Sequence, residues 1–203
     1  MLPKIIASAK GNKFPPASEG THVAILNTIV DVGLQDGRFG TKREMFLGFE
    51  ITDEFNEWTD KDGPRREPKR VSASVTVSLS EKAHLRGYVE GILGRRLSDA
   101  ELRECDIVNL VLGKACLLHV VHYESNGNRY ANIGSIAPLS KAMPVPTPHS
   151  DPVAYSPEAH DAATWEKLPK FLQEKIAKRV VKETPPPKSG SADKEPFNDK
   201  CPF

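Results

Sequence analysis

Aromatic and basic side chains occur together in three stretches of this sequence, and the combination suits single-stranded nucleic acid. Arg and Lys side chains neutralise phosphates, while an aromatic ring gives a base a flat face to stack on, worth about 1–3 kcal/mol per base. The stretches lie at a first turn and the strand after it, in a charged segment before a third strand, and at a last hairpin. The candidate residues are Arg38, Phe39, Lys42, Phe46, Trp58, Arg65, Arg66, Lys69, Arg70, Arg129 and Tyr130.

Phe46 has the most informative position among these rings. Residues 41–52 alternate between an apolar and a polar face, as a half-buried strand does. The apolar face carries Met45, Leu47, Phe49 and Ile51. Phe46 falls on the polar face, where a large ring has no place in the core, so we expect it to contact a ligand.

The charged segment that holds Trp58, over 53–69, is expected to be a long loop, and it can also be interpreted as ordinary surface. Asp60, Asp62 and Glu67 alternate with its basic residues, and mixed runs of charge are commonly a solvated face. The formal net charge of +1 gives no overall basic signal. A nucleic-acid site would therefore have to be a local patch.

The C-terminal tip carries a second interaction chemistry. The chain ends on Pro202 and Phe203, with Asp199 just before them. The composition of residues 183–203 cannot build a packed core, so we predict a disordered tail. An apolar ring with nearby carboxylates fits a partner's apolar pocket that is rimmed by Arg or Lys. Lysines near the tip dilute its acidity, which predicts modest affinity.

Other chemistries have weaker support in the sequence. The sequence has no Gly-rich phosphate loop and no Gly-x-Ser-x-Gly elbow. Glu50, Asp53 and Glu54 form the one carboxylate cluster that could hold Mg²⁺ in a nuclease, although a solubilising turn explains them equally well. His119 and His122 would point to opposite faces of a strand. We therefore expect no enzyme activity, no metal and no cofactor.

The elements that must position these residues form a recognisable order. Period-two patterns predict five strands, and a helical pattern lies between the third and the fourth. The strands are expected over 21–34, 41–52, 71–79, 114–124 and 129–138, and the helix over 81–93 with Ser80 as its N-cap. This order predicts a mainly β protein with a five-stranded OB-fold barrel, a helix between strands 3 and 4, a C-terminal helix and a disordered tail.

The domain organisation follows from the placement of proline. We expect an N-terminal arm over 1–20, the OB-fold domain over 21–139, a Pro-rich linker over 140–157, an amphipathic helix over 158–182 and a tail over 183–203. Pro169 should kink that helix or start a new one. Apolar runs stay shorter than the ~18 residues that a membrane span needs. Three cysteines without close pairing or metal spacing suit a reducing cytoplasm.

Several of these stretches resemble small single-stranded DNA-binding proteins of tailed phages. The similar stretches are 46–51, 77–83, 113–122, 130–133, 136–139 and 168–176. The tip resembles the C-terminal hook of bacterial single-stranded DNA-binding proteins, which end in an acidic run, an apolar residue and Pro-Phe. The resemblance implies an OB-fold, single-stranded DNA binding in the cytoplasm of a host cell, and a tip that recruits replication or recombination proteins.

The sequence thus predicts a protein that binds single-stranded DNA without strong sequence preference during phage replication or recombination. Asp199, Pro202 and Phe203 would bind a protein partner, and a homo-oligomer is compatible with the sequence. Two rivals stay open. One is a phage scaffold or inhibitor whose barrel binds a host protein and no DNA, which the near-neutral net charge favours. The other is the Mg²⁺-dependent nuclease.

Overall fold

Long β-strands dominate the protein in a computed structural model that describes residues 14–38 and 40–181. The strands are β1 (Gly20–Gly37), β2 (Gly40–Asp60), β3 (Gly63–Thr76), β4 (Ala115–Ser125), β5 (Asn128–Pro138) and β6 (Val153–Tyr155). The helices are α1 (His84–Leu93), α2 (Asp99–Arg103), α3 (Ile107–Val111), α4 (Ala162–Lys167) and α5 (Lys170–Ala177). Among these described helices, none is long and apolar enough to cross a membrane.

All the long strands belong to one antiparallel sheet in the order β3-β2-β1-β4-β5, and β6 joins it parallel to β1. The prediction of a mainly β protein, with its helical region between strands 3 and 4, is confirmed. In the described part of the chain, hydrogen bonds do not close the sheet into a barrel between β3 and β5. β1 is the central strand, because it pairs with β2, β4 and β6.

Short turns join the paired strands where the sequence predicts hairpins. Ser125 pairs with Asn128 across Asn126 and Gly127, whose φ angles are 50° and 74°. Two positive φ angles give the turn a twist that matches antiparallel strands, and Asn-Gly is the residue pair that adopts it most readily. Gly37 likewise pairs with Gly40 at the β1–β2 turn.

The prediction that the charged segment over 53–69 is a loop is wrong, because most of this segment belongs to two paired strands. After a register irregularity between Glu50 and Phe55, strands β2 and β3 resume pairing, from Phe55 with Pro68 to Asp60 with Gly63. We call residues 55–68 the distal hairpin. A two-stranded ribbon that is wet on both faces needs no apolar alternation, so its sequence carries no strand pattern.

The inner face of the sheet packs against the helices. The predicted apolar face of β2 is confirmed, since Met45, Leu47, Phe49 and Ile51 are all buried there. From α1, Leu85, Val89 and Ile92 are buried. The predicted N-cap is wrong, because α1 begins at His84 after Ala83 rather than after Ser80.

The outer face of β1 packs against a second, smaller core made by the C-terminal part of the chain. Its buried members are Val30, Val32, Tyr155, Leu168, Leu172 and Ile176. Residues 140–157 are therefore not a free linker: they contain β6 and dock on the sheet. The helix expected over 158–182 is two helices, because Leu168 before Pro169 adopts an extended ψ of 139° and Pro169 starts α5.

The docking of α5 can be tested by truncating its buried face. We expect Leu172→Ala to lower the free energy of unfolding by about 2–5 kcal/mol, because Leu172 is fully buried and its loss leaves a cavity. Urea titration followed by circular dichroism measures the change. Glu174→Ala on the exposed side of the same helix is the control and should change stability little. Equal effects of the two substitutions would show that α5 does not pack on the sheet.

Candidate nucleic-acid interface

The candidate residues lie on four parts of the sheet. Arg38 and Lys42 are at the β1–β2 turn, and Phe46 and Arg70 are on the outer face of β2 and β3. The remaining described candidates are on or beside two hairpins: Trp58, Arg65, Arg66, Lys69, Arg129 and Tyr130. Phe39 and the tip residues Asp199, Pro202 and Phe203 lie outside the described residues.

The two hairpins project from the same end of the sheet. β1 is antiparallel to both β2 and β4, and its first residue, Gly20, pairs with Val120 while Ala24 pairs with Ile51. The distal hairpin and the β4–β5 hairpin therefore both extend past the start of β1. The β1–β2 turn, with Arg38 and Lys42, lies at the opposite end.

The distal hairpin carries aromatic rings and guanidinium groups side by side. The Arg66 guanidinium carbon lies 3.7 Å from the centroid of the Phe55 ring, a cation–π contact. The Trp58 ring lies 5.2 Å from that of Phe14. The sequence prediction placed Arg66 and Trp58 in this segment but did not single out Phe55, because without the strand register its alignment with Arg66 was not visible.

The arginines of the distal hairpin already have acidic neighbours. Arg65 pairs with Asp60 at 2.9 Å and with Asp62 at 3.0 Å, and Arg66 pairs with Glu57 at 3.2 Å. These groups are largely exposed, and exposed ion pairs are worth only about 0–1 kcal/mol. A phosphate could therefore replace these carboxylates at little cost.

The β4–β5 hairpin presents a stacked ring pair. Tyr123 and Tyr130 are cross-strand partners, and their ring centroids lie 5.4 Å apart with an interplanar angle of 23°. Tyr123 is 50% exposed, which is unusual for a large aromatic side chain. Arg129 and its cross-strand partner Glu124 lie on the other face of the hairpin, where their side chains are 3.5 Å apart. A base could extend this stack.

Lys69 has a structural role rather than an open position. Its ammonium group pairs with Glu54 at 3.0 Å and donates to the backbone oxygen of Pro16 at 3.1 Å. The side chain is 15% exposed. Lys69 therefore holds the chain before β1 against β2, where it cannot meet a phosphate without giving up both contacts.

The carboxylates of the nuclease alternative do not meet at one point. Glu50 is buried and accepts hydrogen bonds from the His149 backbone, Asn27 and Ser150. Glu54 is instead bound to Ser18 and Lys69. Among the described residues, no group of three or more His, Cys, Asp or Glu side chains could hold a metal ion.

A Ser–His–Asp sequence of contacts occurs near the start of β1. His22 Nδ1 lies 3.2 Å from Asp53 Oδ1, and His22 Nε2 lies 3.5 Å from Ser18 Oγ. The Ser18 hydroxyl, however, donates to Glu54, and His22 Nε2 is closer to the Ser18 backbone oxygen, at 3.0 Å. The imidazole is thus not placed to take the hydroxyl proton, and the cluster anchors the N-terminal segment.

The outer face of β2 and β3 forms the floor of a cleft, which we call the outer cleft. Residues 150–154, α4 and α5 form its roof, and its volume is about 650 Å³. Phe46 lies in the floor, so the alternation that put it outside the inner core is confirmed. It is half-buried, because the ring of Phe171 contacts it with centroids 5.7 Å apart and planes 66° apart.

The buried Glu50 fixes the start of this roof. Its Oε2 accepts from Asn27 Nδ2 at 3.1 Å and from Ser150 Oγ at 2.9 Å, and Arg70 donates to the same Ser150 oxygen at 3.3 Å. No local sequence pattern predicts this network, because His149 and Ser150 lie about a hundred residues from Glu50 in the chain. Phe171 was detectable in principle: like Phe46, it is a large apolar residue off the apolar face of its element.

Comparisons with known proteins assign the chain to no family. No protein-family model matches the chain, and no curated protein matches it.

The anchoring role of Glu54 gives a pH-dependent prediction. Burial acts to raise the pKa of Glu54, but hydrogen bonds from Ser18 and Lys69 outweigh it and lower the pKa to about 2, from an ordinary 4.5. A lowered folded-state pKa stabilises the protein above pH 4.5, and this contribution is lost as the pH falls towards 2. We expect Glu54→Gln to lower the free energy of unfolding by about 1–3 kcal/mol at pH 7.

Urea titrations at pH 7 and at about pH 3 measure this effect, and the deficit of the variant should shrink at the lower pH. Glu57→Gln is the control, since Glu57 is 70% exposed on the same strand. A deficit that is equal at both pH values would contradict the role given to the Glu54 charge.

Proposed function

We propose that the protein binds single-stranded DNA, without strong sequence preference, on an OB-fold. The support for the fold is the sheet order β3-β2-β1-β4-β5 with helices between β3 and β4. An OB-fold is a partly open Greek-key barrel, and the loop between its strands 4 and 5, here the β4–β5 hairpin, is one of the places where its ligands bind. The open junction between β3 and β5 is compatible with that description.

The observation that carries the proposal is the pairing of rings with guanidinium groups on two neighbouring hairpins. The distal hairpin offers Phe55 in contact with Arg66, and the β4–β5 hairpin offers the Tyr123–Tyr130 stack on one face and Arg129 on the other. Stacking surfaces next to cations are what a single strand requires, because its bases are unpaired and its phosphates are charged. The strand would cross the end of the sheet from one hairpin to the other.

The biological setting of the proposal rests on the sequence resemblance to tailed-phage proteins. In this setting, the protein acts in the cytoplasm of a host cell during phage replication or recombination. Asp199, Pro202 and Phe203 would recruit partner proteins there. No enzyme activity and no cofactor belong to this function.

The stacking part of the proposal predicts the effect of two substitutions at one position. Tyr130→Ala removes a ring and should weaken binding of a fluorescent oligothymidine by about 5- to 150-fold, which is the value of one stacked base. Tyr130→Phe keeps the ring and should bind like the parent protein. Fluorescence anisotropy titration gives both affinities. Equal binding by all three proteins would remove Tyr130 from the interface.

The phosphate part of the proposal predicts a salt dependence. Binding should weaken steeply between about 50 and 200 mM salt, because each neutralised phosphate releases counterions. Replacing both Arg65 and Arg66 by Ala should reduce the slope of log affinity against log salt by about 2. Arg103→Ala on α2, outside both hairpins, is the control for the loss of a basic side chain and should leave the slope unchanged.

The same titration decides between this function and the rival that binds a host protein. The formal net charge of +1 and the carboxylates beside Arg65, Arg66 and Arg129 favour the rival. If the full-length protein shows no binding to oligothymidine even at low salt, DNA binding is excluded and the protein-binding function takes its place.

A further inference from the structure

We propose that the outer cleft is a pocket for a single nucleobase, which swings out of a bound strand and enters between the sheet and α5. This inference rests on the proposed function, because it gives the single strand a second, separate contact beyond the hairpins. The cleft has a volume of about 650 Å³, within the ~300–1,000 Å³ range of small-ligand pockets.

The roof of the cleft determines what can enter it. Residues 150–154, α4 and α5 lie over the β2–β3 face, so a nucleic-acid strand cannot run along that face as it would along an open groove. The roof is fixed at both ends. Ser150 is bound to Glu50 at one end, and at the other Lys175 pairs with Glu44 at 2.8 Å. A flat group that projects from a strand could still enter from the side.

Two phenylalanine rings supply the stacking surface. Phe46 is in the floor and Phe171 is in the roof, and the two meet edge to face. Phe171 is 57% exposed, although Leu172 and Ile176 of the same helix are buried. A base that slides beside this pair would cover apolar surface that is now in water, and every base has a face that can stack.

Gly48 keeps the floor open next to Phe46. A Cβ atom at this position would lie 3.1 Å from the Thr28 side chain and 3.3 Å from the Phe46 ring. A larger residue would therefore require Thr28 or the Phe46 ring to shift. Its cross-strand partner Ser72 is also small and lines the cleft, so the centre of the floor carries no bulky side chain.

Polar groups suited to a nucleotide surround these rings. Asn27 lines the cleft at 5% exposure, and its Oδ1 has no hydrogen-bond partner among the described residues. Each base carries an N–H or amino donor that could satisfy such an acceptor. Arg70 and Lys167 also line the cleft, and Arg70 donates a hydrogen bond to the hydroxyl of Ser150 there. They are placed to meet the phosphate of the same nucleotide.

The proposal is tested with thymidine monophosphate as the probe and deoxyribose 5-phosphate as the control that lacks a base. In ¹⁵N-labelled full-length protein, thymidine monophosphate at millimolar concentration should shift the amide signals of Gly48, Ser72 and Phe171, while the control should not. Shifts with both compounds would show a phosphate site only, and shifts with neither would show that the cleft takes no nucleotide. Either result overturns the proposal.

Two substitutions carry the test to DNA. Ser72→Trp fills the cleft from an exposed position, and Phe171→Ala removes a stacking ring without filling it. Each should weaken oligothymidine binding by roughly 5- to 150-fold, the contribution of one stacked base. Thr76→Trp is the matched control, because Thr76 lies on the same face of β3 as Ser72 but does not line the cleft. This variant should bind oligothymidine normally.

The outcomes separate this inference from the proposed function. If Ser72→Trp and Phe171→Ala bind oligothymidine as the parent protein does, the pocket is excluded while hairpin-mediated binding stands. If the parent protein binds the mononucleotide in the cleft but no oligonucleotide, single-stranded DNA binding is excluded and the cleft is a mononucleotide site.

Discussion

The burial of β1 on both faces is the constraint on which the rest of the structure depends. Its inner side chains, such as Leu26 and Ile29, join the core under the helices, and its outer ones, Val30 and Val32, need a second cover. The C-terminal segment supplies that cover with Leu172 and other apolar residues. Burial on this scale is the main favourable term in folding, so the segment belongs to the domain rather than trailing from it.

The hydrogen bonds of the buried Glu50 fix the position at which the C-terminal segment docks on the sheet. A carboxylate that is 1% exposed must be hydrogen-bonded, because an unpaired buried charge is very costly. Its donors come from Asn27 in the sheet and from His149 and Ser150 in the C-terminal segment. The same network that satisfies Glu50 therefore sets where the roof begins, and leaves the outer cleft between roof and sheet.

This arrangement divides the possible ligand contacts into two kinds. The hairpins beyond the start of β1 are largely exposed to solvent. Their arginines form weak, exposed ion pairs, in which a phosphate could replace the carboxylate. The cleft lies under a roof, and Phe46 in its floor is half-buried. A surface of the first kind suits a continuous backbone, and one of the second kind suits a single projecting group.

The sequence by itself determined the strand order, the apolar face of β2, the Asn126-Gly127 turn and the break at Pro169, because each depends on near neighbours in the chain. It also placed Phe46 outside the inner core, which follows from alternation alone. Only the tertiary structure decided that the charged segment is a hairpin, that residues 140–157 dock on the sheet, and that Phe171 covers Phe46. Those outcomes depend on cross-strand register and on contacts such as Glu50 with Ser150, which join residues far apart in the chain and leave no local pattern.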